Sequence, residues 1–138
     1  MGLWIARTFT LALMVLAGIG GAASGQTATD PHAVDTVRPG EFPAVGKSYN
    51  VDFGKQKFRL DFLSETEMRF ASPDGANADT VKIAVTRIRP DVFMVYWSRR
   101  PGQHALHVQD YGSGTAYTNI FLQDGTAIRA KGPLTLAK

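Results

Sequence analysis

The chain has 138 residues, a net charge of +3 and no cysteine. This length suits a single domain, because a second independent core would need more chain. The lack of cysteine excludes disulfides, thiolate metal sites and thiol enzymes. Basic residues are scattered among acidic ones, so we expect no nucleic-acid partner, which would require a basic stripe.

The N-terminal segment has the pattern of an export signal. Arg7 precedes the uncharged apolar run TFTLALMVLAGIG, which is about a dozen residues long, whereas a membrane-spanning helix needs roughly 20. Small residues follow, and the pattern predicts cleavage between Gly25 and Gln26, with cleavage after Ala23 as the close alternative. We therefore predict a signal peptide over residues 1–25, a periplasmic or secreted protein, and no stable membrane span in the mature chain. An uncleaved membrane anchor is the alternative.

Two regions follow the predicted signal peptide. Residues 26–44 contain three prolines and no sustained hydrophobic period, which predicts an extended linker. Residues 45–138 contain short alternating runs separated by turn residues, which indicates antiparallel β-structure. We therefore predict one β-domain over residues 45–138.

Large apolar residues alternate with smaller or polar ones in each predicted strand. The residues expected to share a face are Tyr49, Val51 and Phe53; Phe58, Leu60 and Phe62; Met68 and Phe70; Val81, Ile83 and Val85; and Phe93, Val95 and Trp97. Met94 and Tyr96 are apolar as well, so we expect their strand to be buried on both faces.

Turn residues recur about every ten residues, and no segment has the pattern of an amphipathic helix. Seven to nine short strands with this spacing indicate a sandwich or a barrel. Short turns favour up-and-down connections, and closure would remove free strand edges. The predicted fold is therefore all-β, a small antiparallel up-and-down barrel of about eight strands, large enough to pack solid or to hold one small ligand.

The segment over residues 88–121 resembles the central part of proteins related to molybdenum cofactor biosynthesis protein F. The matching features are Arg89-Pro90, Val95 to Trp97, Gly102, His107-Val108, Asp110, and Tyr117 to Ile120. The opening run GKSYNVDFGKQKFRLDF extends the resemblance over most of the predicted mature chain. The resemblance implies a lipocalin-like barrel of the calycin type, and it implies fold more than activity.

The strand that ends in Val95 to Trp97 also resembles the phenolic acid decarboxylases, which share the barrel and act without a cofactor. Those enzymes use two tyrosines of the first strand, an arginine and a glutamate. Here Val51 and Phe53 stand at the tyrosine positions, Arg69 could stand for the arginine, and the strand over residues 80–88 has no glutamate. The resemblance therefore implies an enzyme of this type only as an alternative.

Other catalytic patterns are missing from the sequence. No serine lies in a G-x-S-x-G turn. His104 and His107 would point to opposite faces of one strand, so they could not share a metal ion without a bulge. We predict no catalytic residue, no metal and no cofactor.

A barrel interior with a few polar groups is typical of a ligand site. The predicted ligand-contacting residues are Trp97, His107, Tyr96, Phe53, Val51, Arg69, Asp110 and Tyr117; Asp110 and Tyr117 are implied by the resemblance alone. We therefore expect an exported barrel that binds a small apolar or amphipathic molecule without catalysis. The alternatives are a cofactor-free enzyme of the decarboxylase or lyase type, and a protein-interaction module with a solid barrel. The oligomeric state stays open.

Overall fold

The structure is a computed structural model that describes residues 36–138. The predicted signal peptide, its cleavage position and residues 26–35 of the predicted linker lie outside the described residues. Eight β-strands follow one another along the described chain: β1 Ser48–Asp52, β2 Lys57–Phe62, β3 Glu67–Ala71, β4 Ala78–Arg89, β5 Val92–Arg100, β6 Gln103–Asp110, β7 Thr115–Phe121 and β8 Ala127–Leu136.

The strands form a closed antiparallel barrel in which each strand pairs with the next along the chain. β8 closes the barrel by pairing with β1, through Leu134 opposite Val51 and Leu136 opposite Tyr49. A closed barrel has no free edge strand that could pair with another chain. The prediction of a small all-β, up-and-down barrel of about eight strands is confirmed. Within residues 36–138, no helix is long and apolar enough to span a membrane.

Alternation along the strands decides which side chains fill the barrel. The apolar positions predicted to share a face meet in one buried core, which includes Val51, Leu60, Phe62, Met68, Phe70, Val81, Ile83, Val85, Phe93, Val95 and Trp97. β5 differs from its prediction, because its second face is not buried and Tyr96 is 40% exposed. The physical reason is closure, since every strand of a barrel has one face toward the interior and the other toward the outside.

Aromatic side chains close one end of the barrel. Residues 36–44 form no helix or strand, yet Phe42 is only 2% exposed. The centroid of its ring lies 5.0 Å from that of Phe62 and 5.2 Å from that of Phe93. Tyr111 adds a further edge contact to Phe42 at 6.0 Å. The described part of the predicted linker therefore packs against the barrel and extends its core.

Candidate functional site

An apolar cavity lies toward the opposite end of the barrel, with a volume of about 70 Å³. Its lining residues are Phe58, Leu60, Phe70, Asn77, Trp97, Arg99, Gln103, His104, Ala105, His107 and Ile120. For comparison, an apolar cavity of roughly 150 Å³ binds benzene. A molecule of that size or larger would therefore extend through the mouth of this cavity toward solvent.

Strand alternation places His107 at the inner end of the cavity. Ala105, His107 and Gln109 of β6 are buried in the barrel interior, because they share one face of the strand. The register pairs Ala105 with Ile120 of β7 and His107 with Thr118. Ala105 and Ile120 line the cavity, so the pair of His107 and Thr118 lies one layer deeper along the barrel.

His107 is enclosed by aromatic rings. It is 2% exposed, and the edge-to-face distances between ring centroids are 4.7 Å to Trp97 and 5.3 Å to Phe53. Burial lowers the pKa of His107 from 6.5 to about 3, because the charged imidazolium would lose its hydration. The ring is therefore neutral at neutral pH.

Phe53 reaches His107 where the chain just after β1 lies unusually close to the backbone of β8. A Cβ atom on Gly132 would lie 1.7 Å from the backbone oxygen of Asp52. Only glycine leaves room for this close approach, because it has no side chain. Gly132 thus allows the end of β1 to place the Phe53 ring against the histidine.

A chain of hydrogen bonds sets the tautomer of His107. The Tyr111 hydroxyl donates to Oε1 of Gln109, and Nε2 of Gln109 lies 3.4 Å from Nδ1 of His107. Burial raises the pKa of Tyr111, which keeps this hydroxyl protonated as the donor. An amide nitrogen only donates, so Nδ1 accepts and the neutral ring carries its proton on Nε2. This Nε2–H makes no hydrogen bond to any group within residues 36–138.

Thr118 adds a second polar group beside this histidine. Its side chain is 2% exposed, and within residues 36–138 its Oγ1 atom has no hydrogen-bond partner. An unpaired buried hydroxyl costs about 1–3 kcal/mol of stability. Thr118 does not line the cavity, so His107 is the polar side chain at its inner end.

Arg99 forms part of the cavity mouth. Its guanidinium lies 5.3 Å from the centroid of the Phe70 ring. It also donates to Oδ2 of Asp79 at 3.1 Å and to Oδ1 of Asn77 at 2.5 Å. These contacts tie the end of β5 to the loop between β3 and β4 and to the start of β4, so the arginine holds one side of the mouth in place.

The structure brings three of the eight predicted ligand-contacting residues together. Trp97 and His107 line the cavity, and Phe53 packs against the ring of His107. Val51 is buried in the apolar core.

The other four predicted residues lie away from the cavity. Arg69, Tyr96 and Tyr117 are exposed on the outside of the barrel. Asp110 accepts hydrogen bonds from backbone amides of the turn between β6 and β7. The Asp110 side chain therefore stabilises the turn between β6 and β7.

Sequence reasoning did not assign several residues that shape the site. Gln109 shares its strand face with the predicted residue His107, and Thr118 is paired with His107 across β6 and β7, so alternation is the signal that could have identified both as inward-facing. Asn77 and Arg99 carry no such signal, because they meet only where a loop approaches the end of another strand.

Of the residues that the structure describes, only two histidines, His104 and His107, could serve acid–base chemistry in the cavity. Among the described residues, no aspartate or glutamate lines it, and no cluster of three or more histidine, cysteine or carboxylate side chains is placed to hold a metal ion. Proton transfer requires a group that gains or releases protons near the working pH. His107 does not do so at neutral pH, because burial lowers its pKa to about 3. The arrangement favours hydrogen bonding to a bound molecule.

Comparisons with known proteins agree with this architecture. A crystal structure from Burkholderia vietnamiensis, described as a "putative beta-lactamase", matches with a TM-score of 0.65 and 20% sequence identity, over 73% of this chain and 100% of that chain. Likeness at this identity shows the fold alone. No curated protein matches the sequence. The sequence profile of the MoaF-like family matches residues 45–135, which confirms the resemblance seen in the strands. The chain therefore belongs to the MoaF-like family.

Proposed function

We propose that the protein binds a small, largely apolar molecule in the barrel cavity and does not transform it chemically. The observation that carries this proposal is the cavity itself, whose apolar and aromatic wall ends at the buried, neutral His107. A mostly apolar pocket with a few placed polar groups is the usual composition of a small-molecule site.

The same features weigh against the two alternatives. An interaction module with a solid barrel would have no internal cavity, whereas about 70 Å³ is open here. A decarboxylase-type enzyme needs titratable groups that exchange protons with its substrate. Among the described residues, the cavity has no lining carboxylate, and Arg69 points outward, away from it.

Filling the cavity with protein should abolish binding. In Ala105→Leu, the larger side chain would occupy most of the 70 Å³. We expect the wild-type protein to bind two flat probes, acetophenone and α-methylstyrene, in a saturable way, and Ala105→Leu to bind both at least about tenfold more weakly, since the probe loses its buried contact area. An NMR titration that follows the Trp97 indole N–H signal measures this, because Trp97 lines the cavity.

The matched control is Ala84→Leu, which makes the same change on the outward face of β4, opposite Tyr96. This variant should bind both probes as the wild type does. Ala105→Val adds less volume and tests the same point if the leucine variant does not fold. Absence of saturable binding to the wild type, or equal binding by the wild type and a folded cavity-filled variant, would contradict the proposal.

We also propose that the barrel acts outside the cytoplasm, in the periplasm or the medium. The support is the pattern of residues 1–25, in which an arginine precedes a short apolar run and small residues. N-terminal sequencing of protein recovered from the periplasm or medium should begin at Gln26 or shortly before it. Recovery of a chain that still begins at Met1 in the membrane fraction would contradict cleavage.

A further inference from the structure

We infer that one side of the barrel, formed by β5, β6 and β7, docks on the surface of an anionic lipid bilayer. This side, called the outer face below, is defined by the outward-pointing apolar side chains Met94, Tyr96, Leu106, Val108, Tyr117 and Phe121. The inference concerns a surface separate from the cavity and goes beyond the proposed binding function.

The side chains of the outer face form one continuous surface, because the register of the three strands places them side by side. Met94 lies opposite Val108, and Val108 lies opposite Tyr117. In the next row, Tyr96 lies opposite Leu106. The two tyrosines are 40% and 47% exposed. A continuous exposed apolar surface marks a site that contacts another protein or a membrane.

The outer face also lacks charge, in contrast to the other side of the barrel. The strand segments 94–98, 104–108 and 117–121 contain no aspartate, glutamate, lysine or arginine. The outward positions of β1 to β3 are rich in charged residues instead, and Arg59 forms an ion pair with Asp61 at 2.8 Å. Charged side chains keep a surface in water, so the two sides of the barrel are suited to different surroundings.

A basic edge borders the outer face on β8. Lys131 and Arg129 are exposed and lie opposite Tyr117 and Asn119 of β7. Within residues 36–138, neither of these two cations forms an ion pair. A lysine or arginine held near an anionic bilayer strengthens binding about fivefold. The basic edge therefore complements the charge of anionic lipid headgroups.

Shape and composition favour a lipid surface over a second copy of this chain. The outside of a closed barrel is convex, so two copies would meet along a narrow strip, whereas a fluid bilayer adapts to a convex body. The outer face of a second copy would also offer no acidic side chain to Lys131 and Arg129. Tyrosine is typical of membrane–water interfaces, because its ring is apolar and its hydroxyl is polar.

The outer face ends beside the mouth of the cavity. The Tyr96 hydroxyl lies 2.7 Å from Nδ1 of His104, and the two rings stack. His104 also lines the cavity. Docking would therefore hold the mouth next to the bilayer, where apolar molecules concentrate. This consequence rests on the proposed function, whereas the docking itself does not.

Flotation with lipid vesicles measures the docking. We expect the protein to float with vesicles of equal parts phosphatidylglycerol and phosphatidylcholine, and to bind phosphatidylcholine vesicles at least about tenfold more weakly, because these carry no net charge. Tyr117→Asp places a negative charge in the outer face and should weaken binding to the anionic vesicles at least about tenfold. Its matched control, Asn50→Asp, adds the same charge at an exposed position of β1 and should bind as the wild type does.

A second pair of variants tests the basic edge. Joint replacement of Arg129 and Lys131 by glutamine should weaken binding to the anionic vesicles at least about tenfold. Joint replacement of Lys47 and Lys55 by glutamine removes two exposed charges around β1 and should leave this binding unchanged. Ala105→Leu changes only the barrel interior and should dock as the wild type does, which separates docking from binding in the cavity.

Three outcomes would overturn the inference while the proposed binding function stands. The first is that the wild-type protein does not bind the anionic vesicles. The second is that Tyr117→Asp and Asn50→Asp bind them equally. The third is a dimer that Tyr117→Asp dissociates, together with no vesicle binding, which would assign the outer face to a second copy of the chain.

Discussion

The variant Phe42→Ala should lose about 3–5 kcal/mol of unfolding free energy, the range for truncating a buried phenylalanine. Phe42 is 2% exposed and packs on Phe62 and Phe93, which lie on different strands. Truncation would leave a cavity among rings that other elements hold in place, so the site could not easily collapse. Chemical denaturation of the two proteins measures the difference.

Phe121→Ala is the matched control for this prediction. Phe121 is 40% exposed at the end of β7, so its truncation should cost less than about 1 kcal/mol. A loss below about 1 kcal/mol in Phe42→Ala, no larger than that in Phe121→Ala, would contradict the role of residues 36–44 as part of the core. The same result would support the interpretation of this segment as a linker that contributes little to stability.

The second large effect is a loss of stability in mild acid that depends on His107. Its pKa is about 3 in the folded protein and near 6.5 when the chain is unfolded and solvated. Between these values the unfolded state binds a proton that the folded state does not bind, so the unfolding free energy falls as the pH falls. The unfolding free energy that depends on the neutral form of His107 is fully present above pH 6.5. About 2 kcal/mol of it should be lost by pH 5.

His107→Gln should remove this dependence, because glutamine does not titrate. Denaturation curves at pH 7.5, 6.5 and 5 for the variant should therefore show about 2 kcal/mol less change across this range than those of the wild type. His104→Gln removes the partly exposed histidine of the same strand and should retain the wild-type loss. If His107→Gln remains as sensitive to acid as the wild type, the buried neutral histidine is not the cause.

Much of the barrel could be predicted from the sequence, because strand alternation is a local property. Phe58, Leu60 and Phe62 lie two residues apart, so their shared face follows from the geometry of one strand. Trp97 and His107 were both among the predicted ligand-contacting residues, and they lie on the neighbouring strands β5 and β6. Both line the cavity.

Features that depend on contacts distant in sequence could not be predicted in this way. Tyr96 and Trp97 are both aromatic, and only closure of the barrel decides that tryptophan faces the interior. Phe42 belongs to an irregular segment without any period, so its burial follows from where the chain meets β2 and β5. The approach of Arg99 to Asn77 likewise depends on how the loop after β3 is placed.

The most direct test of the proposed function is to ask what the protein carries when it is isolated. Native mass spectrometry of protein from the cells that produce it, followed by denaturing extraction, would detect a small molecule bound in stoichiometric amount. We predict a small, largely apolar bound molecule that is missing from Ala105→Leu, whose side chain fills the cavity. Isolation of the protein without a bound molecule, together with no binding of acetophenone or α-methylstyrene, would contradict the proposed function.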